Sequence, residues 1–258
     1  MRVATWNVNS LNARMPRFLA WIKETGPDVV CIQETKLRPD VFPHLELEQL
    51  GYEAAHFGQG QWNGVAVISR VGLTDPIIGI EGADGVSEEA RAITVNCGGV
   101  GIMSVYVPNG RSLDSDHYSY KLKWLMELRN HLENNFSPTD NVIVGGDFNI
   151  APTDKDVWSV EAMIGNTHVS EPERRALQNL IDWGLTDSLR HFYDEDGIFT
   201  WWDHRGGAFH KRQGLRIDYL LVSKPIESHL NWALVDRNAR KGDKPSDHAP
   251  VVVDFSMP

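Results

Sequence analysis

The chain has 258 residues, of which 41% are hydrophobic and 23% are charged, a balance typical of a globular protein that buries a large core. No apolar run approaches the roughly 20 residues that a membrane-spanning helix needs, and the first residues enter a strand pattern without the apolar segment of a signal peptide. These features argue against a membrane span and against secretion, so we expect a cytoplasmic protein that has no membrane partner.

Short apolar runs alternate with helical patterns along the chain, without internal repeats or a linker. The apolar runs predict strands at 3–6, 29–33, 64–69, 91–96, 100–106, 142–144, 219–222 and 251–253. Apolar residues at helical spacing predict helices at 14–25, 117–134 and 172–183, and the segment 207–214 has no apolar period and is predicted as a loop. We expect one α/β domain over residues 1–258, because the polar segments that would form a site come from both ends of the chain.

Carboxylate and amide side chains stand where several predicted strands begin or end. Asn7, Glu34 and Asp147 follow their strands, whereas Asp218 and Asp247 precede theirs. If all of these residues meet at one edge, the last two strands must run opposite to the first three. An all-parallel sheet cannot provide this arrangement, so the sequence predicts mixed sheets with a hydrolytic metal site at one edge.

The charge balance gives two opposing indications about a nucleic-acid partner. A formal net charge of −10 and a pI near 5.4 argue against one, because phosphate binding normally leaves a basic footprint. Positive charge nevertheless gathers in loops around the last two polar segments, at His204, Arg205, His210, Lys211, Arg212, Arg216, Arg237, Arg240, Lys241 and Lys244. An ordinary solvated surface is the commoner explanation for such runs. Their nearness to the carboxylates favours a function, and a cation bound by these acids would offset part of the negative charge.

An ordered set of short motifs runs from the first strand to the last. Its members are ATWNVN at 4–9, QETK at 33–36, YVPN at 106–109, GGDFN at 145–149, LRID at 215–218 and SDHAP at 246–250. In this order the set resembles the exodeoxyribonuclease III type of AP endonuclease, within the endonuclease/exonuclease/phosphatase superfamily. The resemblance implies an α/β fold, a four-layer α/β/β/α sandwich in which two mixed β-sheets lie face to face with helices outside.

The residue types also suit metal-dependent hydrolysis of a phosphodiester. Carboxylates such as Glu34 and Asp247 supply hard oxygens that Mg²⁺ prefers, with Mn²⁺ as a possible substitute, and Asn7 can add a neutral oxygen. The predicted metal ligands are Asn7, Glu34, Asp147, Asn149 and Asp247. Asn9 stands where some members of the resembling family carry an acid, which leaves open whether one ion or two act.

The predicted catalytic residues are Tyr106, Asp147, Asn149, Asp218 and His248. The resemblance suggests that Asp147 orients or deprotonates water and that Asn149, two residues further along an extended segment, donates to the water or the phosphate. It also places His248 against the phosphate, with Asp218 fixing the imidazole. A rival assignment makes His248 the general base. Tyr106 would offer its hydroxyl to the phosphate or to a metal-bound water.

The predicted DNA-binding residues are Asn109, Arg111, Trp201, Leu215 and Ile217. By resemblance, the last three line a small apolar pocket for a flipped-out abasic sugar, which a nucleotide with its base would be too large to enter. Arg111 lies where family members push a side chain into the duplex, and Asn109 would hold a neighbouring phosphate. Trp62 lies in another loop that could touch DNA. The competing explanation for the pocket residues is that they belong to the core.

The resemblance implies a Mg²⁺-dependent DNA phosphodiester hydrolase of base excision repair, which incises 5′ of abasic sites to leave a 3′-OH. It also implies 3′-phosphodiesterase and 3′→5′ exodeoxyribonuclease activity on double-stranded DNA with abasic sites or 3′ ends. We expect a monomer without an obligate protein partner, associated with the nucleoid through DNA. The alternatives are another phosphodiesterase or phosphatase of the superfamily, and a damaged-DNA binding module with vestigial catalysis. The binding module is disfavoured because every acid that the metal chemistry needs is present.

Overall fold

The computed structural model of the chain describes residues 1–80, 86 and 88–257. The strands are β1 (Arg2–Asn7), β2 (Val29–Gln33), β3 (Glu53–Phe57), β4 (Val65–Ser69), β5 (Thr74–Ile78), β6 (Ala92–Cys97), β7 (Val100–Tyr106), β8 (Val142–Asp147), β9 (Leu185–Asp187), β10 (Trp201–Trp202), β11 (Gly214–Leu215), β12 (Asp218–Ser223), β13 (Leu230–Val235) and β14 (Val251–Phe255). The α-helices are α1 (Leu11–Thr25), α2 (His44–Glu48), α3 (Asp116–Asn135), α4 (Val160–Met163), α5 (Glu171–Asp182) and α6 (Lys224–Glu227). Short 3₁₀ helices cover Pro39–Val41, Asp154–Asp156 and Arg237–Arg240.

Within the described ranges, the strands build two six-stranded sheets and a separate β10–β11 pair. The first sheet has the order β13-β14-β1-β2-β4-β3, and the second has the order β5-β6-β7-β8-β12-β9. Strand β1 runs parallel to β2 and antiparallel to β14, while β8 runs parallel to β7 and antiparallel to β12. In each sheet, the strand that follows a late polar segment is therefore reversed, and the prediction of mixed sheets is confirmed.

Both faces of each sheet are buried, which explains why the central strands read as continuous apolar runs. Alternate side chains point to opposite faces, so Val29 packs between the sheets while Val30 packs outward under α1. On the second sheet, Ile143 lies in the layer between the sheets and Val144 packs outward against α3 and α5. The layers therefore follow the predicted order of helix, sheet, sheet and helix.

The strands that the sequence did not predict include the four at the sheet edges, namely β3, β5, β9 and β13. An edge strand has a neighbour on one side only, so its residues are more exposed and its apolar pattern is weaker. Strand β5 is exposed at most of its positions, and no residue of β3 is fully buried. Hydrophobic patterning therefore located the interior of each sheet but not its borders.

The long helices agree with the prediction except at one end. Helix α1 begins at Leu11, earlier than expected, because the Ser10 side chain accepts a hydrogen bond from the Ala13 N–H and caps the first turn. It ends at Gly26, whose left-handed φ of 57° lets its N–H bond to the Ile22 carbonyl. No helix in the described part of the chain is long and apolar enough to cross a membrane.

Two consecutive glycines at the end of β8 allow close packing directly beneath the polar edge. A Cβ on Gly145 would lie 2.8 Å from Leu220 Cδ2 and 3.1 Å from Cys31 Sγ, so this glycine lets the facing sheet approach. A Cβ on Gly146 would lie 2.0 Å from the Val105 carbonyl oxygen on the paired strand β7. No side chain can be accommodated there unless the backbone moves.

We expect Gly146→Ala to lower the free energy of unfolding by about 3 kcal/mol or more, because the clash is with backbone and cannot be relieved by a rotamer change. The matched control is Gly72→Ala, where the added Cβ would meet nothing within 4 Å. There only the positive φ is strained, at a cost of about 1–2 kcal/mol. Urea denaturation measures both values, and equal losses would contradict the packing role of Gly146.

Candidate active site

A row of three polar side chains crosses the end of the second sheet. Asp147, the last residue of β8, is paired in register with Tyr106 of β7 on one side and with Asp218 of β12 on the other. Residues directly opposite each other in a sheet project to the same face, so these side chains lie next to one another. The ends of β7 and β8 and the start of β12 thus meet at one edge of the sheet, and their polar residues form this row.

Asn7, at the end of β1, connects the row to the first sheet. Its Nδ2 donates to Glu34 Oε1 and to Asp147 Oδ2, each at 2.9 Å. Its Oδ1 accepts the backbone N–H of Asn9 at 3.0 Å, which fixes the amide in this orientation. One buried amide therefore holds two carboxylates from different sheets beside each other.

Asp147 is buried, and the pKa of its carboxyl is raised to about 7. Burial is the main cause, and the negative charges of Asp218 and Glu34 raise the pKa further. The positive charge of His248 and the hydrogen bond from Asn7 act in the opposite direction. The Asp147 carboxylate can therefore exchange a proton near neutral pH.

His248 and Asp218 form a buried ion pair beside Asp147. His248 Nδ1 lies 2.9 and 3.0 Å from the two Asp218 oxygens, and its Nε2 lies 3.7 Å from Asp147 Oδ2. Burial disfavours the charged ring, but the carboxylates of Asp218 and Asp147 outweigh it and raise the pKa of His248 to about 10. His248 is therefore an imidazolium at neutral pH.

Thr200 fixes the backbone that carries Asp218, a role that the sequence analysis missed. Its Oγ1 accepts hydrogen bonds from the N–H groups of Ile217 and Asp218, at 3.0 and 3.1 Å. Nothing in the sequence distinguishes this hydroxyl from other threonine hydroxyls.

Tyr106 lies against the carboxylates as a neutral phenol. Burial raises its pKa well above the usual value of 10, and the charges of Glu34 and Asp147 add to the effect. The Tyr106 hydroxyl is hydrogen-bonded to Glu34, and the Arg91 guanidinium lies 4.9 Å from the centre of the ring. Tyr106 is thus kept as a hydrogen-bond donor.

Asp247 is held apart from the central carboxylates by its own donors. Asn9 Nδ2 donates to Asp247 Oδ1 at 2.9 Å, and Trp201 Nε1 donates to its Oδ2 at 3.1 Å. Burial opposes the charged form, but the charge of His248 and these donors lower the pKa of Asp247 to about 2. Asp247 is therefore a fixed negative charge.

Lys36 links the Asp247 side of the site to Glu34, and the sequence analysis gave it no role. Its Nζ donates to Asn9 Oδ1 at 2.6 Å and lies 2.9 Å from Glu34 Oε2. Asn9 thus bridges a cation and the Asp247 carboxylate. The position of Lys36 in the QETK motif, two residues after Glu34, is the sequence feature that could have indicated this contact.

Glu34, Asp147 and His248 place one possible ligand atom each within 4.8 Å of one another, and no other such group occurs among the described residues. His248 is protonated and paired with Asp218, so the available donors are the carboxylate oxygens. Two adjacent carboxylates suit a hard divalent cation such as Mg²⁺ or Mn²⁺, which would also relieve their repulsion. Asn7 presents its amide nitrogen to this group, so it would have to turn the amide over to offer the predicted oxygen.

The local geometry of Asn149 differs from the expectation. The segment after Asp147 is not extended, because Asn149 has a left-handed φ of 53°. Its backbone N–H donates to Asp147 Oδ1 at 2.9 Å, and its Nδ2 donates to the Val107 carbonyl at 2.9 Å. Its Oδ1 accepts from Asn109 Nδ2 at 3.3 Å. Asn149 therefore reaches the site through a turn.

Asn109 and Arg111 lie at the wall of a cleft of about 590 Å³ that also includes Tyr106 and Trp62. The Arg111 N–H donates to Asn109 Oδ1 at 3.1 Å, and both side chains are exposed. Trp62 is 66% exposed, which is unusual for a tryptophan without a ligand. These predicted DNA-binding residues thus lie on an accessible surface beside the site.

Leu215 and Ile217 contribute little accessible surface to the predicted sugar pocket. Each is 2% exposed, and they pack against Ala151 and Val157. Trp201 pairs with Leu215 between β10 and β11 and is half-buried. Of the three predicted pocket residues, Trp201 therefore offers the most surface to a ligand.

The predicted basic surface is smaller than the sequence suggested. Arg216 is 1% exposed and is paired with Asp156 and Asp187. Arg240 is also buried and donates to the Ser246 carbonyl. The residues next to them in the sequence do not indicate these buried partners. The exposed members of the predicted set include Lys211, Arg212, Arg237, Lys241 and Lys244.

The family model described as endonuclease/exonuclease/phosphatase matches residues 4–248. An exodeoxyribonuclease of Bacillus subtilis is 32% identical over 97% of this chain and 98% of its own length. A 3′ phosphatase from Neisseria, solved with a product DNA hairpin, is 38% identical with a TM-score of 0.96 and full coverage of both chains. An AP endonuclease from Archaeoglobus fulgidus is 32% identical, with the same TM-score and full coverage of both chains. The chain therefore belongs to the endonuclease/exonuclease/phosphatase family of hydrolases and is of the exodeoxyribonuclease III and AP endonuclease type.

Proposed function

We propose that the protein is a metal-dependent DNA phosphodiester hydrolase of base excision repair that incises 5′ of abasic sites and leaves a 3′-OH. The proposal includes 3′-phosphodiesterase and 3′→5′ exodeoxyribonuclease activity. The observation that carries it is the position of Asp147 between the Asn7–Glu34 pair and the His248–Asp218 pair. This arrangement provides a proton acceptor, a cation and a negatively charged metal site within one buried group.

Asp147 is the proposed base that orients the attacking water and accepts its proton. A general base works best when its pKa lies near the working pH. Without a metal ion the pKa of Asp147 is raised to about 7, and a bound cation would lower it. His248 is the less suitable base, because its pKa of about 10 leaves no free lone pair on the protonated ring. We assign His248 to holding the negative charge on the phosphate, with Asp218 orienting the imidazolium.

Glu34 and Asp147 are the proposed metal ligands, and Asn7 would join them if its amide turned over. Asn149 and Asp247 remain outside this group, because their side chains are hydrogen-bonded to other residues. A bound Mg²⁺ or Mn²⁺ would supply Lewis-acid stabilisation of charge on the phosphate or on the leaving 3′ oxygen. One ion is favoured, since a single compact group of donors is found among the described residues and Asp247 is not part of it.

Double-stranded DNA is the proposed substrate, bound over the cleft beside Tyr106. Tyr106 is neutral, and its hydroxyl can turn from Glu34 to donate to a phosphate oxygen. The exposed Asn109 and Arg111 can contact the DNA backbone on the same side. The Neisseria relative supports this choice, because its structure includes a DNA hairpin. We further propose that residues 1–258 act as one domain, since the site combines residues from both ends of the chain. We propose that this domain acts as a monomer, since every proposed site residue comes from a single chain.

A second candidate is an enzyme that acts at DNA 3′ ends and does not incise internal abasic sites. It is favoured by the burial of Leu215 and Ile217, which leaves little open pocket surface for an extruded sugar. The 38% identity to a 3′ phosphatase points in the same direction. The two candidates use the same chemistry at Asp147. They differ in whether the phosphate comes from an internal abasic site or from a 3′ end of the DNA.

We expect Asp147→Asn and His248→Ala each to lower kcat by about a thousandfold or more, because each removes a group that acts on the reacting atoms. DNA binding, measured by gel shift, should be largely retained, since neither residue lies on the exposed cleft surface. Asp194→Asn is the matched control, because this carboxylate is 92% exposed at the surface. Full activity of either site variant would contradict the assignment.

We expect hydrolysis to require Mg²⁺ or Mn²⁺ and to stop in EDTA, while binding to an abasic duplex continues. A panel of three duplexes separates the candidates: one with an internal abasic site, one with a recessed 3′-OH and one with a 3′-phosphate. Cleavage of all three supports the abasic endonuclease. Processing of only the two 3′ ends supports the second candidate. Binding without any cleavage in Mg²⁺ would indicate the binding module instead.

A further inference from the structure

Lys121 and Glu173 form a buried ion pair that the proposed chemistry does not use. Both side chains are fully buried, and Lys121 Nζ donates to Glu173 Oε1. Lys121 lies on α3 and Glu173 on α5, so the pair joins the two helices that cover the second sheet. Placing two charges in a protein interior is costly, and apolar residues of similar size often stabilise such a position equally well. Glu173 Oε2 also accepts the Ser170 N–H and so caps α5, but a glutamine can form the same capping box, so capping does not require the charged pair. Stability alone is therefore a weak reason for the pair to be there.

The other hydrogen bonds of the Lys121 ammonium go to the turn at Asn149, which follows Asp147, and to Asn109. Lys121 Nζ donates to the Asn149 carbonyl at 2.7 Å and to the Asn109 carbonyl at 3.3 Å. Lys121 thus contacts the backbone of both residues whose side chains meet beside the site, where Asn109 Nδ2 donates to Asn149 Oδ1. The hydrogen bond from Lys121 Nζ to Glu173 Oε1 fixes the position of the ammonium.

His168 adds a second donor to the same carbonyl. Its Nδ1 lies 2.6 Å from the Asn149 oxygen, and because a carbonyl only accepts, the proton is on this nitrogen. Glu173 Oε1 accepts the His168 backbone N–H at 3.0 Å and so fixes the loop that carries the imidazole. Two donors organised by one buried carboxylate thus hold the peptide of Asn149, whose φ of 53° is in the left-handed region.

We propose that Lys121 and Glu173 are positioning residues, which act on hydrolysis by holding the left-handed turn at Asn149 and, through it, Asp147. The last link is the Asn149 N–H, which donates to Asp147 Oδ1 at 2.9 Å. Without Lys121, the Asn149 carbonyl loses a charged donor, so the φ and ψ of Asn149, which direct its N–H at Asp147, are less restrained. The inference rests on the proposed function, because it assigns a role only if Asp147 and Asn149 act in hydrolysis.

The test uses Lys121→Met/Glu173→Gln, which removes both charges and leaves one glutamine oxygen to accept from the N–H of His168 or of Ser170. We expect kcat to fall by about ten- to a hundredfold, the usual range for residues that orient the groups at a site. KM should stay within about threefold, because neither residue lies on the DNA-binding surface. Glu173→Gln alone keeps the donor and should give a smaller loss of kcat.

A destabilised control separates positioning from general loss of folding. Leu128→Ala removes a buried side chain on the same helix α3, away from the turn. Circular dichroism identifies a temperature at which all variants are folded, and kcat is compared there. Leu128→Ala should then retain the parent kcat, whereas the charge-free variant should not.

A double-mutant cycle with Asp147→Ala, measured as single-turnover rates, tests the route of the effect, because this substitution removes the oxygen to which the Asn149 N–H donates. If Lys121 and Glu173 act through the Asn149 turn on Asp147, the charge-free substitution should lower the rate less in the Asp147→Ala background than in the parent. Equal fold-losses in both backgrounds, or an unchanged kcat in the folded variant, would overturn the inference. If the charge-free variant does not fold, the cycle is measured with Glu173→Gln. Failure of the unmodified protein to hydrolyse any duplex would instead contradict the proposed function.

Discussion

The amide of Asn7 holds the carboxylates of Glu34 and Asp147 together across the ends of two separate sheets. Two carboxylates repel each other, and burial strengthens the repulsion, so they remain close only if donors or cations compensate them. The amide supplies two hydrogen bonds, Lys36 supplies a charge to Glu34, and His248 supplies one to Asp147. The sandwich fold makes this possible because it brings the ends of β1 and β8 to the same edge.

The same balance between burial, charges and hydrogen bonds gives side chains of one type different properties. Asp147, Asp218 and Asp247 are all buried or half-buried aspartates, but their surroundings differ. Asp218 is paired with His248. Asp247 is kept ionised by the positive charge of His248 and by the donors Asn9 and Trp201, with a pKa of about 2. Asp147 is buried against charge of both signs, and burial with the nearby carboxylates raises its pKa to about 7. Environment rather than residue type is therefore the basis for proposing Asp147 as the base.

The sequence predicted those features that depend on local pattern. The interior strands are apolar on both faces and were found, and the reversal of the strands after Asp218 and Asp247 followed from where those residues stand. The edge strands were missed, because exposure removes the apolar signal on which the prediction depends.

Features that depend on distant partners were not predictable from the sequence. The sequence analysis placed Arg216 in a basic surface. In the structure it is buried and paired with Asp156 and Asp187, which are far away in the chain. Nothing in the sequence around Thr200 or Lys121 indicates that these residues contact the site. The turn at Asn149 was misjudged because a left-handed φ follows the strand directly, and alternation applies only while the backbone stays extended.

The central claim is that hydrolysis needs Asp147 ionised and His248 protonated. The pH dependence of the single-turnover rate on a duplex that the parent cleaves, measured in Mg²⁺ for the parent and for Asp218→Asn, tests it most directly. Removing the Asp218 charge lowers the pKa of His248, because that charge is the main stabiliser of the imidazolium. The account predicts that the alkaline fall in rate moves to lower pH in the variant, and that the acidic limb also moves to lower pH, because the Asp218 charge raises the pKa of Asp147 as well. An alkaline limb that keeps its parent position would contradict the account, because hydrolysis would then not require a protonated His248.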